Sequence, residues 1–421
     1  MTATLIAERD GEGAFNLSSP LFEGPFSPYI SPQGAAKLKE YRYHGGDHSL
    51  IYKHVLTPMN ERLIQLFPWW LAPNTITVLG LALVFGSHLL SILYTPRLEG
   101  VAPGWVYVLF GLCLFAYQTL DNLDGKQARR TGSASPLGLL FDHGCDALNV
   151  TVSTLTLCSA IQAGPTWKSG VMWWSTASVF YFTTWEELNT DYLNLPTING
   201  PTEGLIANVG IYFWTAYIGA DFWLTTEPLT GCQWNTLLIW ALMALALATI
   251  LNSFKNVYIS TFRSDTFGTA IARIAPFLIL NVFFALWVSF SQDDILGKYP
   301  RMVWWTLGLL FSKMVTHMMV AHMTREPYAP IRKTLLPIFF LAAHASYSLF
   351  GWYFRGRSLN DPVIPDEELV LEEFFILALV TYSHLVYFLV REVMVILNVP
   401  CFTMPASVVH RFTKGDKTFL C

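Results

Sequence analysis

The sequence predicts an all-α polytopic membrane protein of about ten transmembrane helices, preceded by an N-terminal amphipathic interfacial segment. Three observations carry that prediction. Of 421 residues, 53% are apolar and only 13% are charged, whereas a soluble domain carries roughly 25% charged residues. Apolar runs, most of them about 17–25 residues long, recur along the chain, which is the length an α-helix needs to cross the hydrocarbon core. The acidic residues are also concentrated, with four aspartates between positions 121 and 146 flanked on both sides by apolar sequence.

Residues 1–33 are rich in Gly, Ser and Pro and are expected to be loosely ordered. No basic stretch followed by an apolar run marks a cleaved signal peptide. Residues 34–70 form the interfacial segment. There Lys37, Lys39, Arg42, Lys53 and Arg62 alternate with Leu38, Tyr41, Tyr43, Leu50, Ile51 and Leu56, the composition of a helix lying on a membrane surface. Spans follow near 75–94, 105–123, 138–160, 171–187, 204–223, 235–253, 269–290, 302–322, 334–353 and 371–397. Residues 399–421 read as a polar tail without a motif. Ten spans put both termini on one side. That side receives the interfacial segment, Lys126, Arg129, Arg130, Lys255, Arg325 and Lys414, against Arg97, Lys168, Lys298 and Arg355 on the other. The bias predicts cytosolic termini and a cytosol-facing acidic cluster. The six cysteines show no CxxC spacing and read as buried reduced thiols.

Charge beside hydrocarbon is costly, so an acidic cluster there signals function. Asp121 and Asp124 are spaced i,i+3, and Asp142 and Asp146 i,i+4. On helices each pair shares a face. The intervening Thr131–Pro136 stretch has turn composition, with Pro136 suited to the first turn of the next helix. Two facing arms of a hairpin then make a cage of oxygen ligands, which suits Mg²⁺ or Mn²⁺ and not Zn²⁺. Gly125, Ala128 and Gly138 are small enough to let a phosphate approach the backbone. Arg129 offers a planar fork of donors to grip it.

The stretch Asp121, Asp124, Gly125, Ala128, Arg129, Gly138, Asp142, Asp146 resembles the signature of the CDP-alcohol phosphotransferase family, D-x2-D-G-x2-A-R-x8-G-x3-D-x3-D, at every fixed position. Residues 38–58, 70–81, 124–149, 184–196 and 200–204 further resemble the eukaryotic choline/ethanolamine phosphotransferase branch, especially fungal members. The resemblance implies catalytic helices over 71–225 and additional transmembrane helices over 226–398. It implies two divalent ions held by Asp121, Asp124, Asp142 and Asp146, with Arg129 on the pyrophosphate. It also implies substrates of CDP-choline or CDP-ethanolamine and diacylglycerol, a homodimer, and residence in the endoplasmic reticulum or Golgi membrane. Nothing points to nucleic acid.

Asn74 is similar to a nucleotide-contacting Asn of the family, and Pro73-Asn74-Thr75 is equally a good helix start. Two residues compete for the general base. Asp146 holds that role in many members, but a metal-bound carboxylate is a weak base. His143 titrates near neutral pH and borders the metal face. Glu203, in the Gly200–Gly204 run, is the residue that the resemblance assigns to orienting His143. Glu186 and Glu187 offer counter-charge to an ammonium head group, and Trp185 beside them offers a cation–π face, although anchoring at the membrane interface is the commoner role of such a tryptophan. A family member acting on another alcohol, or a cation-coupled transporter with an acidic site, remain the alternatives. Against a transporter, the acids lie at one end of adjacent helices and no second copy appears.

Overall fold

The structure, a computed structural model, describes residues 28–47, 49–195, 201–261, 266–291, 293–328 and 366–413. The described residues are almost entirely helical. The predicted span at 334–353 lies outside them. Five helical stretches are long and apolar enough to cross a membrane: Pro73–Tyr94, Gly104–Thr131, Trp234–Thr261, Phe267–Ser289 and Glu367–Leu397.

The entry segment is broken into short pieces. Helix α1 (Pro32–Glu40) is capped by Ser31, whose hydroxyl accepts from Gly34 N. A three-residue strand β1 (Gly45–Asp47) follows, then a short π-helical turn and α2 (Thr57–Leu63). The Gly45-Gly46 pair explains the break, because glycine weakens a helix and suits an extended strap. Residues 28–31 are held down: Tyr29 N and Ile30 N donate to the Glu392 carboxylate at 2.9 and 3.1 Å, and Ser31 N donates to Glu326 at 3.2 Å.

Helices α3 (Pro73–Tyr94), α4 (Gly104–Thr131) and α5 (Pro136–Ala160) pack together as the first layer. Gly132, at φ 67°, ends α4 in the left-handed conformation, and Ser133 N returns to Ala128 O. Ser135 caps α5 and Pro136 opens it. The expected hairpin therefore forms with its acids on both arms. Helix α6 (Trp167–Thr190) ends at Asp191 and runs into strand β2 (Leu193–Leu195), which pairs in parallel with β1. Helix α7 (Pro201–Ile218) packs on α4, and α8 (Trp234–Thr261) packs on α6. The predicted span at 204–223 stops at Gly219 (φ 92°) and continues as a short 3-10 turn.

The predicted span at 269–290 is split into α9 (Phe267–Ala272) and α10 (Ala275–Ser289), because Pro276 cannot donate to the preceding turn. A short α11 (Ile295–Lys298) leads into α12 (Pro300–Thr324), which is buried along nearly its whole length between α5, α6 and α13 (Glu367–Leu397). The last described helix is α14 (Ala406–Thr413). Helices α5, α6 and α12 are as long as the five apolar stretches but turn Ser, Thr, Asn and His into the bundle, so their hydropathy is lower. At the far end from the hairpin, buried Arg301 joins α12 to α3. It donates to Ser91 O (2.9 Å), Thr95 O (2.8 Å) and Pro96 O (3.0 Å), and to Ser159 Oγ (2.8 Å).

Candidate active site

The i,i+3 and i,i+4 spacings place the four aspartates on the facing sides of α4 and α5, and the turn at 132–135 brings the two helices together. Carboxylate oxygens of Asp121, Asp142 and Asp146 lie within 4.8 Å of one another. Asp121 Oδ1 and Asp142 Oδ1 are buried and have no hydrogen-bond partner among the described residues. Like charges this close repel, and unpartnered buried oxygens carry a desolvation cost. A divalent cation answers both, so the donor set fits a hard metal ion. Asp124 lines the same cavity and accepts from Thr77 Oγ1. The Tyr117 hydroxyl donates to Asp146.

A methyl group at Gly125 would stand in ordinary van der Waals contact with the Arg129 guanidinium at 3.4 Å. A methyl at Gly138 would stand 3.7 Å from Asn74 Oδ1. Gly125, Ala128, Arg129, Gly138 and Asn74 all line the cavity with the acids. The interfacial segment is fastened to this helix end. Gln127 Nε2 donates to Pro68 O and Leu71 O, both at 3.0 Å, and Arg130 donates to the carbonyls of Ile64 and Phe67.

The cavity has a volume of about 640 Å³ and two chemically different ends. One end holds the aspartates, Arg129 and Asn74. The other runs between α5, α6, α7 and α8 past Leu157, Met172, Phe180, Ile211 and Leu242. Tyr43, Gly45 and Gly46 of the β1 strap close the polar end from one side. Gly45 has no room for a side chain there, since a Cβ would overlap the Tyr43 ring.

His143 borders the acids from α5 and lines the cavity. Its Nδ1 lies 3.2 Å from Leu139 O. A carbonyl only accepts, so this contact calls for a proton on Nδ1, while the group facing Nε2 is a carboxylate, also an acceptor. Nε2 is 3.6 Å from Glu187 Oε2. Glu187 is 1% exposed, and its other oxygen lies 3.7 Å from His322 Nε2. From there a chain of polar side chains reaches the surface. His322 Nδ1 lies 3.7 Å from Asp191, which pairs with Arg325 at 2.6 Å. Burial, then the Glu187 charge, pushes the Tyr41 phenol up, and its hydroxyl is hydrogen-bonded to His322 Nε2 at 3.1 Å.

Several expectations sort differently in the structure. The resemblance assigns Glu203 to orienting His143, and in the structure Glu187 Oε2 lies 3.6 Å from His143 Nε2. Glu203, in the first turn of α7, accepts from the Ser49 hydroxyl. Glu186 accepts from Asn256 Nδ2 at 2.7 Å. Trp185 offers no cation–π face. It is fully buried, donates to Ala270 O at 2.7 Å and packs against Phe254. The indole finds a carbonyl partner inside the bundle, and that outweighs an interfacial position.

An acidic hairpin thus stands at the polar end of a cavity walled by long helices, and comparison with known proteins identifies the class to which this layout belongs. The model of the CDP-alcohol phosphatidyltransferase family matches residues 70–290, which contain every aspartate, glycine and arginine of the site. The chain is 34% identical over 391 residues to choline/ethanolaminephosphotransferase 2 of Arabidopsis thaliana, covering 89% of this chain and 98% of that one. It is 35% identical over 388 residues to choline/ethanolaminephosphotransferase 1 of the same plant, again covering 89% and 98%. To ethanolaminephosphotransferase 1 of Homo sapiens it is 30% identical over 333 residues, covering 74% and 81%. The chain belongs to the CDP-alcohol phosphatidyltransferase family.

Proposed function

We propose that this protein transfers phosphocholine or phosphoethanolamine from its CDP-alcohol to diacylglycerol, releasing CMP and leaving phosphatidylcholine or phosphatidylethanolamine in the membrane. One observation carries the reading: three mutually close carboxylates stand at the polar end of a cavity whose other end runs between bundle helices past Leu157, Met172, Phe180, Ile211 and Leu242, with Ser and Thr hydroxyls among them. A nucleotide diphosphate suits the first end and an acyl-bearing alcohol the second.

Two Mg²⁺ or Mn²⁺ ions held by Asp121, Asp124, Asp142 and Asp146 would neutralise the diphosphate and improve CMP as a leaving group. The protein's own groups supply the rest. Arg129 grips a phosphate oxygen with its fork of donors. Gly125, Ala128 and Gly138 let the diphosphate approach α4 and α5 closely. The His143 imidazole takes the proton from the diacylglycerol hydroxyl as that oxygen attacks the β-phosphorus. The new O–P bond forms, the P–O bond to CMP breaks, and its electron pair leaves on the CMP phosphate. Asp146 is the competing base, and its contact with Tyr117 and the other aspartates favours a ligand role. Two carboxylates are candidates for backing the imidazolium: Glu187 from its distance to Nε2, and Glu203 from the family likeness.

The Lys and Arg distribution supports an active site facing the cytosol. We expect its membrane to be that of the endoplasmic reticulum or Golgi, with the protein a homodimer there. The test is a vesicle assay with labelled CDP-ethanolamine or CDP-choline, diacylglycerol and Mg²⁺. CMP and phospholipid should appear in equal amounts. Release of CMP without a lipid product, or no turnover of either CDP-alcohol, would refute the reading.

A further inference from the structure

Glu187 stands between two imidazoles that are not equivalent. His143 lines the cavity, whereas His322 is buried on α12. Neither Glu187 oxygen has a hydrogen-bond partner among the described residues. Oε2 faces His143 Nε2 at 3.6 Å, and Oε1 faces His322 Nε2 at 3.7 Å. A carboxylate out of water takes its direction from the polar groups around it. His322 therefore sets the far oxygen of Glu187, and with it the oxygen turned toward His143.

His322 is itself fixed from two sides. The Tyr41 hydroxyl meets its Nε2 at 3.1 Å, and the two rings stand edge-on with centroids 5.4 Å apart. Tyr41 directly follows α1, whose Leu38 is fully buried in the cluster that holds Met319 and Met323 of α12. On the other side, the ends of α6 and α12 are tied together. Asp191 N closes onto Glu187 O at 2.9 Å, and Arg325 N closes onto His322 O at 3.4 Å. The side chains of these two capping residues pair at 2.6 Å. Both caps are left-handed, at φ 57° and 58°, a conformation that costs a non-glycine residue energy. The paired caps thus set the spacing between the Glu187 and His322 side chains.

We propose that His322 and Tyr41 are positioning residues that hold Glu187 against His143, which makes α12 and the entry segment part of the active site. Both residues lie outside positions 70–290, which carry the family likeness. The inference rests on the CDP-alcohol reading given above, with Glu187 as the carboxylate that backs the imidazole.

His322→Phe keeps a ring beside Tyr41 and removes both nitrogens. In the full-length protein it should lower kcat about tenfold, the lower end of the range for losing a partner that orients a functional group. KM for CDP-ethanolamine and for diacylglycerol should stay where they were. His322→Gln returns an amide donor toward Glu187 and should recover most of the loss, which a packing defect would not do. A residue that acts through Glu187 has nothing to act on once that carboxylate is gone. The double variant with Glu187→Gln should therefore be no slower than Glu187→Gln alone. Unchanged kcat in His322→Phe, an equal loss in His322→Gln, an inert Glu187→Gln, or losses that multiply in the double variant would overturn the inference. Should His322→Phe fail to fold, Tyr41→Phe removes a single hydroxyl. It should lower kcat with both KM values unchanged, and a wild-type kcat there would also overturn the inference. Wild-type turnover is measured in the same assay, so a failure of the functional reading shows separately. In that case the same cycle read in melting temperature decides whether His322 and Glu187 are coupled, and shifts that simply add would refute the pairing.

Discussion

Asp142→Asn should lower turnover by about 10³-fold or more while leaving the protein folded. Metal-assisted charge stabilisation is worth several kcal/mol, and each 1.36 kcal/mol is a factor of ten in rate. The substitution keeps the side chain's shape and removes only its charge. It acts on a carboxylate whose Oδ1 is buried without a hydrogen-bond partner and lies within 4.8 Å of two others. A second readout separates ligand loss from general damage. In chelator, three close carboxylates repel one another, so removing one charge should raise the melting temperature of metal-free protein. Adding Mg²⁺ should then stabilise the variant less than the wild type, because ligand binding raises stability only where the site holds the ion. Wild-type rates in Asp142→Asn, or an unchanged response to Mg²⁺, would count against a metal role for this residue.

The second large effect falls on His143. His143→Ala should cost roughly 10²–10⁴-fold in kcat, the usual range for loss of a positioned base. KM for CDP-alcohol should change little, since the diphosphate is held by other groups. Near-normal activity would move the base to Asp146. Glu187→Gln tests the carboxylate opposite Nε2. It should lower kcat by about 10- to 100-fold, as loss of a partner that orients a functional group does. The parallel variant Glu203→Gln compares the two candidates directly. If only Glu203→Gln lowers kcat, the 3.6 Å approach of Glu187 is structural and the family likeness names the orienting residue.

The hairpin was legible because its signals are local. Gly132 ends α4, Ser135-Pro136 begins α5, and the aspartate spacings follow helix periodicity, so no tertiary information is needed to bring four acids to one end. The Pro276 break was equally visible in the sequence, yet an apolar run masks a proline when only hydropathy is read. The pairing of Glu187 with His143 and His322 was not legible. It depends on α12 packing beside α6, and His322 is 135 positions away in the chain. Trp185 shows the opposite error. A tryptophan near a helix end suggests an interfacial anchor or, beside acids, a binding face, but its indole N–H has a carbonyl partner inside the bundle.

The central claim is that Asp121, Asp142 and Asp146 hold divalent cations which prepare a CDP-alcohol for attack by a membrane alcohol. The most direct measurement is CMP release from CDP-ethanolamine or CDP-choline by the purified protein in diacylglycerol vesicles, followed through chelation and Mg²⁺ re-addition. The account predicts that release stops in chelator and returns with Mg²⁺ in wild-type protein but not in Asp142→Asn. Release that continues at full rate in chelator would contradict it.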